Sequence, residues 1–169
     1  MKISLLKIEH DTTVDGPGFR TAVYCAGCRN ACPGCHNPQS WDENNGTPTD
    51  VDDILSVILA DPYADVTFTG GDPMLHPEAF TELARKIKQH SNKNIWCYTG
   101  YLFDNIKNKA PQRALLEQID VLVDGPFMQH LRDISLLFRG SANQRLIDVP
   151  ASLAQNQVIT LDYNPKPIF

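Results

Sequence analysis

Val66-Thr67-Phe68-Thr69-Gly70-Gly71-Asp72 is the stretch on which the reading of the whole chain turns. Its first four residues are β-branched or aromatic and suit a pleated strand, which two glycines then close. Pro77 follows at a position suited to the first turn of a helix, with the apolar stripe Phe80, Leu83, Ala84 and Ile87. The same strand-then-helix unit recurs on both sides. Upstream, Phe19 to Tyr24 reads as a first strand, and Asp50 caps a helix whose apolar face is Val51, Ile54, Leu55, Ile58 and Leu59. Between them, Pro33 to Pro48 is rich in Pro, Gly, Asn and Asp and reads as a long loop. Downstream, Ile95-Trp96-Cys97-Tyr98-Thr99 is a third strand ending at Gly100, and a helical stretch closes over Leu115 to Gln118. Val121-Leu122-Val123 is a fourth strand ending at Asp124-Gly125, a fifth falls near Leu146 to Val149, and Val158 to Leu161 adds another.

Alternation of this kind predicts an α/β fold with a mainly parallel sheet and helices packed outside it. A closed barrel of eight such units takes about 250 residues. At 169 residues the chain holds roughly five βα units, so the expected fold is a partial, open (β/α) barrel, one domain over 1–169. Three strands finish with a polar residue beside glycine: Thr69-Gly70-Gly71-Asp72, Thr99-Gly100 and Asp124-Gly125. In parallel α/β folds the carboxyl ends of strands share one rim, where ligands bind. Each glycine alone is an ordinary turn residue; three on one rim point to a site.

The balance of 20 acidic against 15 basic residues argues against broad nucleic-acid binding through phosphate neutralisation. No run of about 18 apolar residues is present to span a membrane. The opening Met1 to Ile8 turns charged too early for a signal-peptide core, so a cytoplasmic protein is expected. Five cysteines are an odd number, and four of them fall between positions 25 and 35. A tight cluster in a reducing compartment points to metal rather than to a disulfide framework.

Those four lie in Cys25-Ala26-Gly27-Cys28-Arg29-Asn30-Ala31-Cys32-Pro33-Gly34-Cys35-His36-Asn37, where the first strand passes into the long loop. Two readings follow. Cys25 with Cys28 and Cys32 with Cys35 form two pairs, as in zinc knuckles, although such pairs usually stand about 15–20 residues apart. Alternatively Cys25 continues the strand as a small buried group, leaving Cys28, Cys32 and Cys35 as the ligand set. The second grouping is preferred. His36 is a candidate fourth ligand of a zinc site, and Cys97, in mid-strand, is read as core.

The spacing of Cys28, Cys32 and Cys35 is that of the ligand loop of the radical S-adenosylmethionine superfamily, which the chain resembles well beyond the cysteines. Asp15-Gly16-Pro17-Gly18-Phe19-Arg20 is similar to a motif shared by activases of glycyl-radical enzymes. Gly70-Gly71-Asp72-Pro73 is similar to a Gly-Gly-Glu-Pro motif, with Asp in place of the more usual Glu. Trp96 to Tyr101, Val123-Asp124-Gly125 and, most discriminating, Phe138-Arg139-Gly140-Ser141-Ala142-Asn143-Gln144-Arg145 resemble the activases of anaerobic ribonucleoside-triphosphate reductase. Only about Asn164 to Phe169 lacks a counterpart.

That resemblance implies a barrel of the radical S-adenosylmethionine type. It implies one [4Fe–4S] cluster on Cys28, Cys32 and Cys35 whose fourth iron is left open to S-adenosylmethionine. Gly34, Cys35 and His36 would line the cofactor, although Gly34 stands where the superfamily generally has an aromatic residue. Gly70, Gly71 and Asp72 would hold the methionine end. Asp124 would touch the ribose or methionine, or else cap the strand turn. The implied reaction is reductive cleavage to a 5′-deoxyadenosyl radical, which removes hydrogen from a glycine of the large subunit of the reductase. A flavodoxin-type protein would supply the electron. Arg132, Arg139 and Arg145 are either solvated or face that partner.

Overall fold

The protein is described over residues 1–164 from a computed structural model; residues 165–169, the greater part of the segment without a counterpart, lie outside the described residues. Its strands are β1 (Lys2–Thr12), β2 (Arg20–Cys25), β3 (Thr47–Asp50), β4 (Asp65–Gly70), β5 (Ile95–Tyr98), β6 (Val121–Asp124) and β7 (Arg145–Asp148). Helices α1 (Val51–Ala60), α2 (Pro77–His90), α3 (Phe103–Ile106), α4 (Ala110–Leu116) and α5 (Val149–Gln155) alternate with them. The strands form one open sheet in the order β3-β1-β2-β4-β5-β6-β7. The four central strands β2, β4, β5 and β6 run parallel, and the flanking pairs are antiparallel.

One face of the sheet carries Val23, Cys25, Val66, Phe68, Ile95 and Cys97, which pack against Ile54, Ile58, Leu83, Ile87 and Leu115 of the helices. Each large apolar side chain buried there contributes about 1.5–3 kcal/mol relative to exposure. The other face carries a smaller cluster of Trp96, Val121, Val123 and Leu146. The period-two alternation of each strand thus divides its residues between a helix-covered face and a second face.

Arg20 is buried on that second face at the amino end of the parallel strands. Its guanidinium donates to Thr67 Oγ1 (2.8 Å), Val66 O (2.8 Å) and Pro17 O (3.1 Å), and it lies over the Trp96 ring. Gly16 has φ +137°, and a Cβ there would meet Arg20 Cδ at 2.7 Å. Five residues of strand, about 16 Å at a rise near 3.3 Å per residue, separate Arg20 from Cys25 at the other end of β2. The Asp15 to Arg20 motif therefore braces the start of the sheet.

The structure departs from the sequence expectation in five places. β1 was not expected, and its register is broken by irregularities near Leu5 and near Glu9. β3 contains Pro48, which a sheet edge tolerates because an outward position needs no donor. β7 runs antiparallel to β6 after the long excursion from Gly125 to Gln144, so four parallel strands stand where roughly five βα units were expected. Val158 to Leu161 forms no strand of its own, but Asp148 N donates to Ile159 O and Leu161 N to Leu146 O, covering the β7 edge. Asp50 precedes α1 without a capping side-chain bond.

Candidate functional site

The carboxyl ends of β2, β4, β5 and β6 meet at a cavity of about 240 Å³. Cys28, Cys32 and Cys35 line it from the loop after β2, Gly70 and Gly71 from the end of β4, Gly100 from the end of β5, and Gly125 from the end of β6. The three polar–glycine turns singled out in the sequence thus converge on one space. All five cysteines are free; Cys28, Cys32 and Cys35 are partly exposed, whereas Cys25 and Cys97 are buried.

Backbone bonds anchor the cysteine loop to β4. Gly71 N donates to Cys25 O (2.6 Å), Asp72 N to Gly27 O (2.8 Å), and the buried Ser40 hydroxyl reaches Gly70 O (3.2 Å). A Cβ on Gly71 would overlap the Gly27 backbone, meeting its carbonyl carbon at 2.9 Å. Glycine is required there by the approach of the loop itself. Within the loop, Ala31 takes φ +44° and Gly34 φ +76°, left-handed turns that bend the chain between successive cysteines.

Two sulfurs receive hydrogen bonds from the loop: Cys35 Sγ from Asn37 N (3.4 Å) and Cys28 Sγ from Asn30 Nδ2 (3.5 Å). Burial pushes the Cys28 thiol upward while donation from Asn30 opposes it. In Cys25 and Cys97, desolvation drives the thiols up and holds them neutral. Among the described residues, no three His, Cys, Asp or Glu side chains gather as a single ion would need.

Residues 14–147 match the family described as a 4Fe-4S single cluster domain. The chain is 37% identical over 140 residues to the anaerobic ribonucleoside-triphosphate reductase-activating protein of Salmonella typhimurium, covering 78% of this chain and 89% of that protein. The protein of the same name from Haemophilus influenzae is 38% identical over 142 residues, covering 78% and 88%. That of Enterobacteria phage T4 is 36% identical over 140 residues, covering 79% and 86%. This chain belongs to that family of reductase-activating proteins. The match to a four-iron domain supports an iron–sulfur cluster.

Within this family member, His36 lines the cavity with its ring against Phe127 (centroids 5.3 Å apart). Gly34 does not line it; it sits in the turn beside Gln129. Asp72 is buried at the cavity wall. Its oxygens accept from Thr99 Oγ1 (2.8 Å), Asn30 Nδ2 (2.8 Å), Gly100 N (2.9 Å) and Met74 N (3.0 Å), and burial raises its carboxyl from the ordinary range. Asp72 itself lines the cavity between the β4 and β5 turns. Asp124 departs from the expected contact more plainly. Fully buried, it accepts two bonds from Arg145 (2.6 and 3.0 Å) and one from Phe103 N (2.8 Å), and its neighbour Gly125 meets the cavity instead.

Arg145 is accordingly committed inward, to Asp124 and Asp104, and these carboxylates push its guanidinium pKa upward. The Arg139 to Arg145 stretch works mainly as a brace. Gln144 Oε1 accepts from Gly140 N (2.8 Å), its Nε2 donates to Gly125 O (3.0 Å), and Asn143 Nδ2 reaches Pro126 O (2.7 Å). Gly140 and Gln144 also line the cavity. Asn30, Phe127 and Gln144 were not anticipated as site residues. Asn30 lay between two cysteines with no spacing rule to mark it.

Proposed function

We propose that the chain is a radical S-adenosylmethionine activase that generates the glycyl radical on an anaerobic ribonucleoside-triphosphate reductase. The observation that carries this reading is the opening of Cys28, Cys32 and Cys35 onto one cavity against Gly70 and Gly71, while Cys25 and Cys97 are withdrawn into the core. The name its relatives carry supports the target, and the open sheet with its outer helices fits a partial barrel of the radical type in a single unit. Among the described residues no helix is long and apolar enough to cross a membrane. A cytoplasmic setting is part of the proposal.

In this reading the Cys28, Cys32 and Cys35 thiolates hold one [4Fe–4S] cluster. When bound, that cluster would supply the electron for reductive cleavage of S-adenosylmethionine, the source of the radical chemistry at the reductase glycine. Gly70 and Gly71 line the cavity, and because neither carries a side chain the cysteine loop packs directly on the end of β4, which sets the cysteines beside the place proposed for the methionine end. Asp72 keeps the β4 and β5 turns in place around it. The His36 and Phe127 rings, tilted against each other, form one wall of the cavity. A neighbouring groove of about 450 Å³, which shares His36, Tyr98 and Gly140 with the cavity, is bordered by the exposed Val14 and Ile134. It gives the glycine-bearing segment of the reductase a path to the site. A flavodoxin-type protein is the proposed electron donor.

The test is anaerobic mixing of the reduced protein and S-adenosylmethionine with the reductase or with pyruvate formate-lyase from the same organism. A glycyl doublet in the electron paramagnetic resonance spectrum of the reductase alone is expected. A doublet on the lyase with none on the reductase would assign the chain a different target.

A further inference from the structure

Asn30 stands between the first two cysteines of the loop and is half-buried. Its Nδ2 donates both to Cys28 Sγ (3.5 Å) and to Asp72 Oδ2 (2.8 Å). A side-chain amide carries two N–H groups, so the two bonds form together. The amide cannot usefully flip, because its oxygen would then face a carboxylate and a sulfur. Asp72 is equally fixed. It is 3% exposed and receives Thr99 Oγ1, Gly100 N and Met74 N besides Asn30. A Cβ on Gly100 would overlap Asn30, meeting its Cγ at 2.5 Å, so only glycine at the end of β5 leaves room for the amide. Three separate segments are shaped around this one side chain.

We propose that Asn30 is a positioning residue that holds the Cys28 sulfur by N–H···S donation, is locked in place by Asp72, and makes the cluster easier to reduce. This rests on the cluster reading above. Reduction adds negative charge to the cluster and its sulfurs, so a donor aimed at sulfur favours the reduced state; hydrogen bonds to sulfur are among the factors that set iron–sulfur potentials. Asn30 also stands between that sulfur and a buried carboxylate. It presents the positive end of its amide dipole to both. Its removal therefore acts twice in one direction: the sulfur loses a donor and meets the Asp72 charge directly.

The experiment compares wild type, Asn30→Ala and Asn30→Leu after anaerobic cluster reconstitution, without partner or S-adenosylmethionine. Midpoint potentials are read by spectroelectrochemical titration of the visible absorbance, alongside iron per chain. Both variants lack the donor but differ in bulk, so both should keep wild-type iron and shift to more negative potential by a similar amount. Iron-loaded variants that titrate like wild type, or that shift in only one case, overturn the proposal. If one variant fails to hold iron, the other decides by whether its potential falls. Loss of iron from both while still folded also overturns it, because a tuning residue is not a ligand. A wild-type chain that takes up no iron would refute the cluster reading itself, which separates the two failures.

Discussion

Cys25 and Cys28 stand three residues apart, yet they belong to different chemistry. Cys25 ends β2 on the helix-covered face with 3% exposure, beside Cys97 in the same core. Cys28 begins the loop that turns away from that face, and with Cys32 and Cys35 it opens on the cavity. A thiol enclosed by apolar groups loses the solvent that would stabilise its thiolate and serves as a small hydrophobe. A thiol at a strand's carboxyl end, with N–H donors beside it, is placed to bind. One residue's worth of strand pleat, followed by Gly27 at φ +104°, makes the difference. Cysteine spacing therefore has meaning only once it is known where the strand stops.

The comparison breaks most decisively on iron content. Cys28→Ser, Cys32→Ser and Cys35→Ser should each reduce reconstituted cluster and S-adenosylmethionine cleavage to background. Cys25→Ala and Cys97→Ala should keep wild-type iron. Iron and sulfide analysis after anaerobic reconstitution reads both halves, and a Cys25→Ala protein as iron-poor as Cys32→Ser would merge the two sets.

A second substitution sharpens the boundary between them. Gly71→Val places a branched side chain against the Gly27 backbone, which leads directly into Cys28. Overpacking of this kind costs about 1–3 kcal/mol, and here the strain is delivered to the ligand loop. Iron loading should fall together with S-adenosylmethionine binding, measured by iron assay and calorimetry. Normal iron with lost binding would mean that the glycine serves the cofactor alone.

The smallest effect concerns the buried pair. Desolvation raises the Cys25 and Cys97 thiols above their ordinary 9.0. The folded state then holds protons that the unfolded chain releases, so their contribution is complete below about pH 9 and is lost as pH rises further. Urea unfolding in reductant should find the Cys25→Ala, Cys97→Ala double variant about 1–3 kcal/mol less stable than wild type at pH 8, with the gap narrowing at pH 10. A constant gap would mean the thiols titrate alike folded and unfolded.

Much of this arrangement is legible in the residues. Val66 to Gly71 and Ile95 to Gly100 combine β-branched or aromatic runs with terminal glycines, and the four central strands and their shared rim follow from that pattern. β1 is not legible because its run is laced with Lys2, Lys7, Glu9 and Asp11 and only Ile3 and Thr12 are fully buried, so no clean alternation marks it. β7 is visible as a strand, but its direction depends on the course of residues 125–144, which no local preference encodes. Asp124, which precedes a rim glycine, reads from the sequence either as a cofactor contact or as a cap of the strand turn. Only the fold brings Arg145 to both its oxygens. Asn30 matters through Asp72, 42 residues away, a separation that no spacing rule spans.

In the proposed reading, a three-cysteine site leaves one iron of the cluster open to S-adenosylmethionine. Electron paramagnetic resonance of the reduced, reconstituted protein should therefore be recorded with and without S-adenosylmethionine, before any reductase is added. Direct coordination at that iron should change the cluster's g values when the cofactor is present. A cluster spectrum that stays the same under saturating S-adenosylmethionine would contradict the account, since all four irons would then be closed to it.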